Sequence, residues 1–180
     1  DIDVARLDAQ LAHTVLEAAP GMPLEPGHVY VAPGGQQFAI ERSGAGYRCR
    51  VERGERVNLH RPSVDVLFHS VAQHAAHRAV GVMLTGMGSD GAQGMRAMRD
   101  SGAYNIVQDQ ASSLVWGMPS AAAELGAAHE QLPLERIGPM LCQITGAATP
   151  SIPDGIAGIR LVRKPFEVSE IVKVLLDRDD

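Results

Sequence analysis

The apolar positions of this chain change period several times, and each change marks an element. Val64, Leu67, Phe68, Val71, Ala72 and Ala75 fall at i, i+3, i+4, i+7, i+8 and i+11. That stripe predicts an amphipathic helix, opened by Pro62-Ser63, where a missing N–H does no harm. Ala79-Val80-Gly81-Val82-Met83-Leu84 is then a continuous apolar run. A run without alternation predicts a strand buried on both faces, as in a parallel sheet. It stops in Gly86-Met87-Gly88-Ser89-Asp90-Gly91. A helix over about 92–100 and a strand over 103–107 follow. Met118-Pro119 opens a helix to about Leu125, and Leu134 to Ile144 reads as another, with Ile137, Met140, Leu141 and Ile144 on one side.

Toward the N-terminus the elements are shorter. Residues 3–12 read as a helix with Val4, Leu7 and Leu11 on one face, followed by a Pro- and Gly-rich turn from Pro20 to Gly27. His28 to Ala32 is a strand stopped by Pro33-Gly34-Gly35. Phe38–Glu41 and Tyr47–Glu52 flank Ser43-Gly44-Ala45-Gly46, the pattern of a β-hairpin. Residues 146–158 are rich in Gly, Ala and Pro and read as a linker between a main unit, 1–145, and a tail, 159–180. The tail reads as a strand, 159–162, then Lys164-Pro165-Phe166 and a helix over 168–176. Alternating strands and helices predict an α/β fold with a mainly parallel sheet.

Composition narrows the function classes. With 45% hydrophobic residues, the 180-residue chain can bury a core. No window approaches the roughly 18 apolar residues of a membrane span, so no membrane insertion is expected. A formal net charge of -5 and 4% aromatic residues argue against nucleic acid as a partner. Cys49 and Cys142 stand far apart and outside any CxxC pattern, which disfavours a disulfide framework or a Cys-based zinc site and fits a reducing cytoplasm. The first residue is Asp1, not Met, which reads as a piece of a longer chain or a processed one.

The loop after the buried strand holds the candidate chemistry, because sites in open α/β sheets gather beyond the carboxyl ends of the strands. Gly86, Gly88 and Gly91 satisfy GxGxxG, and Asp109 follows the next strand where a ribose-binding carboxylate would sit. Asp90 stands against that reading, since a carboxylate opposes a pyrophosphate at a helix N-terminus. It would suit two other roles: a cap on the helix that follows it, or the acid of a Ser-His-Asp triad, which orients an imidazole and stabilises its protonated form. These residues alone leave the three readings open.

Four stretches occur in order: Val29-Tyr30-Val31-Ala32-Pro33-Gly34-Gly35, Asn58-Leu59-His60-Arg61-Pro62-Ser63-Val64-Asp65-Val66-Leu67-Phe68, Leu84-Thr85-Gly86-Met87-Gly88-Ser89-Asp90-Gly91 and Gly117-Met118-Pro119. Together, from about residue 3 to about 145, the chain resembles the catalytic domain of the protein-glutamate methylesterases of bacterial chemotaxis. The resemblance implies a doubly wound α/β sheet and a Ser-His-Asp triad. It also implies hydrolysis of glutamyl methyl esters on chemoreceptor cytoplasmic helices, with deamidation of specific glutamines. It implies no metal and no organic cofactor. Asp90 matches the triad aspartate. Met87 matches the residue whose backbone N–H helps form the oxyanion hole, a donor aimed at charge that appears only in the tetrahedral intermediate.

The family's nucleophilic serine, in a GASTGG-like turn, and its histidine lie N-terminal to the matched region. No GASTGG or GxSxG occurs here, and His13, His28, His60, His69, His74, His77 and His129 all lack the family histidine's context. The expectation is a methylesterase-like domain without its first strands, carrying an exposed strand edge and inactive alone, since losing one triad member costs about 10⁴ in rate. A non-catalytic receptor- or regulator-binding module and a dinucleotide-binding domain through Gly86–Gly91 are the alternatives.

Ile159 to Phe166 with the following helix is similar to the end of a response-regulator receiver domain, with Lys164 and Pro165 at the lysine and proline positions. The phosphoacceptor has no counterpart nearby, and a histidine kinase would be a partner only if a receiver were present. His74 and His77 could approach one metal, but a solvated helix face is the simpler reading. His60, Arg61 and Asp65 either lie near the cleft or stay structural, with Asp65 at the positive end of its helix. Trp116 and Met118 read as packing residues.

Overall fold

The structure is a computed structural model, and it describes residues 4–11, 13–146 and 175–176. In chain order the elements are α1 (Val4–Gln10), β1 (Thr14–Glu17), β2 (His28–Val31), β3 (Gln37–Ser43), β4 (Gly46–Glu52), α2 (Val64–His74) and β5 (Ala79–Met83). Then come α3 (Ala92–Asp100), β6 (Tyr104–Gln108), α4 (Met118–Glu124), β7 (Glu130–Leu132), α5 (Leu134–Thr145) and β8 (Leu175–Leu176).

The central sheet runs β7-β6-β5-β8, with β5, β6 and β7 parallel. All five residues of β5 are buried, as an uninterrupted apolar run requires of a strand covered on both sides. Alternation divides its side chains between two cores. Ala79 and Met83 join Ala103 and Val107 of the β6 strand region under α2, α3 and the β3–β4 hairpin. Val80, Val82 and Ile106 face the other way, against Ile137 and its helical neighbours Met140, Leu141 and Ile144 of α5. Helices thus cover both faces, the α/β architecture expected.

The α2 stripe packs as its spacing predicts: Val64, Leu67, Phe68, Val71 and Ala75 are buried. The hairpin lies across this helix and is pinned to it by Ser70, whose hydroxyl accepts from the Ile40 amide at 2.9 Å. Its register pairs Ser43 with Gly46, so Gly44 and Ala45 form a two-residue loop. Gly44 supplies the positive φ of 60° that such a tight turn takes without strain.

Three elements differ from the pattern-based expectation. β1 pairs in parallel with β2, Val15 opposite Val29, and forms a separate small sheet. β7 adds a third parallel strand beside β6. Neither was expected, because runs of four and three residues carry too little alternation to read. At the third, Leu175–Leu176 pairs antiparallel with Val80 and Ala79, where a helix was expected. The physical reason is the edge of β5, whose backbone N–H and C=O groups need partners. The remaining tail positions, Lys164, Pro165 and the 147–158 linker among them, lie outside the described residues.

Candidate active site

The loop leaving β5 is held open by a second segment. The Gly86 amide donates to Val115 O at 3.0 Å, and the Gly86 carbonyl accepts from Gly117 N at 3.1 Å and Met118 N at 2.9 Å. Thr85 extends the seam: its hydroxyl donates to Val115 O at 3.0 Å and accepts from Val115 N at 2.8 Å. This close approach explains the glycines. A Cβ on Gly86 would lie 2.5 Å from Met118 Sδ, and one on Gly117 would lie 2.8 Å from Gly86 O. Gly91 has φ 88° and would set a Cβ 2.4 Å from Val64 Cγ1. Gly86, Gly91 and Gly117 therefore serve close packing between the β5 loop, α2 and the 115–118 segment.

Asp90 is 4% exposed and sits at the N-terminus of α2, not of its own helix. Its Oδ1 accepts from Ser63 Oγ at 2.7 Å and from Asn58 Nδ2 at 2.8 Å, with a longer 3.5 Å approach from Asp65 N. Its Oδ2 accepts from Val64 N at 2.7 Å. The α3 helix has Gly91 at its N-cap, with no side-chain cap bond. The idea that Asp90 caps the helix it precedes is thereby corrected: the chain turns at Gly91 so that the carboxylate points back at α2.

The cap of α3 comes from α2. Asp65 Oδ1 accepts from Gly94 N at 2.6 Å, and Asp65 Oδ2 accepts from Asn58 Nδ2 at 2.6 Å. Asp65 does stand in the first turn of α2, yet its bonds serve the neighbouring helix. Each helix thus supplies, or is preceded by, the carboxylate that caps the other. Negative charge at both positive helix ends is favourable, and these charge-assisted bonds satisfy two carboxylates that burial would otherwise penalise. Asn58 spends both amide hydrogens between them, one on each. Gln37 of β3 completes the frame, its Oε1 accepting from Ser63 N at 2.9 Å.

This arrangement removes the basis for a dinucleotide site. The α3 N-terminus that would receive a pyrophosphate already holds Asp65. Asp109 folds onto its own turn instead of awaiting a ribose, accepting from Ser112 N at 2.9 Å and Ser112 Oγ at 2.6 Å.

Met87 projects from the loop as a 77% exposed residue, and no acceptor for its amide N–H is found among the described residues. Met118 is buried against Gly86, and Trp116 Nε1 donates to Gln108 O at 3.2 Å, so both pack as expected. Arg61 donates to Gly54 O and so braces the approach to α2. His69 and His77 are exposed and His74 half-buried. Among the described residues no three His, Cys, Asp or Glu side chains are grouped to hold a metal, and no histidine ring is hydrogen-bonded to Asp90. No described helix is long and apolar enough to cross a membrane.

Asn58 carried no assigned role in the sequence, and Ser63 was read only as opening α2. Asn58 adopts φ 51°, a left-handed conformation that Asn tolerates better than most residues. Its placement between two carboxylates depends on partners 7 and 32 residues away.

The fold and the buried strand-end carboxylate place this chain among open α/β-sheet proteins whose candidate site lies in the loop after a central strand. The chain belongs to the CheB methylesterase family, which it matches over residues 3–141. It is 52% identical over 143 residues to protein-glutamate methylesterase/protein-glutamine glutaminase 1 of Xanthomonas campestris, covering 79% of this chain and 40% of that protein. It is 54% identical over 145 residues to the protein of the same name from Albidiferax ferrireducens, covering 81% and 39%. A Bordetella avium relative is 58% identical over 130 residues, covering 72% and 37%. The chain thus spans about two fifths of the length of the curated relatives it matches. The Thermotoga maritima CheB methylesterase catalytic domain superposes with a TM-score of 0.75 at 31% identity, covering 78% of this chain and 75% of that one.

Proposed function

We propose that this chain carries the acid and one oxyanion donor of a protein-glutamate methylesterase that also deamidates glutamine. The observation that supports this most is the geometry of Asp90. Its carboxyl group is buried, approached by four donors, and lies in the loop after a central parallel strand. The reaction is hydrolysis of protein glutamyl methyl esters and glutamines, the chemistry that the relatives' names state for those proteins, and in this reading the substrates lie on chemoreceptor helices in the cytoplasm.

In this reading a serine oxygen attacks the ester carbonyl while a histidine takes its proton. Asp90 holds that histidine in the right tautomer and stabilises its charge. The Met87 amide donates to the oxyanion of the tetrahedral intermediate. Methanol leaves, or ammonia from glutamine. Water then releases the glutamate carboxylate and restores the serine.

This reading has the serine and histidine supplied from outside residues 3–141, the span that matches the family, and it expects the 180-residue chain by itself to turn over little or nothing. Assaying methanol release from methylated receptor tests this. Turnover is expected from the product of the complete coding sequence, and from this chain when a separate segment bearing the serine turn and the histidine is added. Receptor binding without turnover in either case would favour a non-catalytic binding module instead.

A further inference from the structure

We propose that Asn58 is a positioning residue that fixes the rotation of the Asp90 carboxylate and so selects Oδ2 as the oxygen that receives the histidine N–H. The proposal rests on the reading of Asp90 as the triad acid.

The count of donors carries it. A carboxylate oxygen has room for about two strong hydrogen bonds. Oδ1 is filled by two short ones, Ser63 Oγ at 2.7 Å and Asn58 Nδ2 at 2.8 Å. Oδ2 has one, Val64 N at 2.7 Å, and keeps one acceptor position open. Val64 N and Ser63 both belong to the start of α2, and each oxygen takes one bond from it. Asn58 comes from the loop before α2 and supplies the second short bond to Oδ1. It also bridges to Asp65 at 2.6 Å, which ties the orientation of Asp90 to the cap of α3. An amide does this because it donates twice; a carboxylate in the same place would donate nothing and add a third negative charge.

The backbone allows a clean test. Asn58 sits at φ 51°, which glycine adopts freely and Asp tolerates. Asn58→Gly removes the side chain without forcing the loop, and Asn58→Asp keeps its shape while removing both donors. The Val64 amide reports on Oδ2 directly, so its proton resonance is read by NMR in the 180-residue chain. Methyl-ester hydrolysis is read in the product of the complete coding sequence. The expected result is an upfield move of the Val64 amide in both variants, and a fall in kcat of about ten- to a hundredfold, with KM held within twofold. A purely structural role would lower the melting temperature without that split. The proposal is overturned by a Val64 amide at its parental position in both variants, or by kcat within twofold of the parent while Asp90→Ala is inactive. A parent without turnover contradicts the reading of the previous section and with it the choice of Oδ2 for a histidine, and the Val64 amide then decides the remaining part, whether Asn58 fixes the rotation of the Asp90 carboxylate.

Discussion

Asp65 and Asp90 exchange helices. Asp90, just ahead of α3, accepts from the first amide of α2 at 2.7 Å, and Asp65, in the first turn of α2, accepts from the third amide of α3 at 2.6 Å. The two helix starts are therefore mutually dependent, and the site loop between β5 and α3 is held by both.

That dependence makes Asp65 a stability residue. Asp65→Ala leaves Gly94 N–H and one Asn58 hydrogen without acceptors in a buried place. Loss of a cap costs about 1 kcal/mol and an unsatisfied buried donor about 1–3 kcal/mol. Urea unfolding should show a loss of about 2–3 kcal/mol for Asp65→Ala, against less than about 0.5 kcal/mol for an exposed substitution such as Gln73→Ala.

The glycines of the loop should separate by packing. Gly88 and Gly91 both have positive φ, 92° and 88°, but nothing lies within 4 Å of a Cβ on Gly88, whereas Gly91 would strike Val64 and Met83. Gly88→Ala should cost only the backbone term, about 1 kcal/mol. Gly91→Ala adds overpacking of about 1–3 kcal/mol. Equal losses in thermal melts would contradict the packing account.

Burial pushes the Cys49 thiol up to about 11. The thiolate is the reactive form, so Cys49 should resist a disulfide reagent at neutral pH, while the half-buried Cys142 reacts. Two thiols should titrate only after unfolding. The sign for stability follows from linkage: the folded state keeps its proton above the ordinary thiol range. The Cys49 contribution is therefore complete below about pH 9 and declines as pH rises toward about 11.

Met87 should act through its backbone. Met87→Ala keeps the N–H and should leave kcat within a few-fold in the product of the complete coding sequence. Met87→Pro removes the donor and should lower kcat about 10²–10³-fold. Similar losses in both variants would assign the role to the side chain.

Much of the fold could be read from the sequence because burial imposes a pattern. β5 is apolar at every position since both faces are covered, and α2 repeats its stripe since only one face is. The β3–β4 hairpin announced itself through Ser43-Gly44-Ala45-Gly46. β1 and β7 did not, because a strand of three or four residues is defined by its partner and not by its own composition. At the site, the position of Asp90 was legible as a strand-end carboxylate, but its partners were not. Its bonds reach 26, 27 and 32 residues back along the chain. The GxGxxG letters misled for a related reason: glycine marks close backbone approach, and here the approaching groups are Val64 and Met118 instead of a phosphate.

The most direct test of the central claim is the rate of methanol release from methylated receptor by the product of the complete coding sequence, with and without Asp90→Asn, each checked for folding by circular dichroism. The account predicts measurable parental turnover and a loss of about 10⁴-fold in the variant, as for removal of a triad acid. Parental turnover of zero, or a folded Asp90→Asn protein within tenfold of the parent, would contradict it.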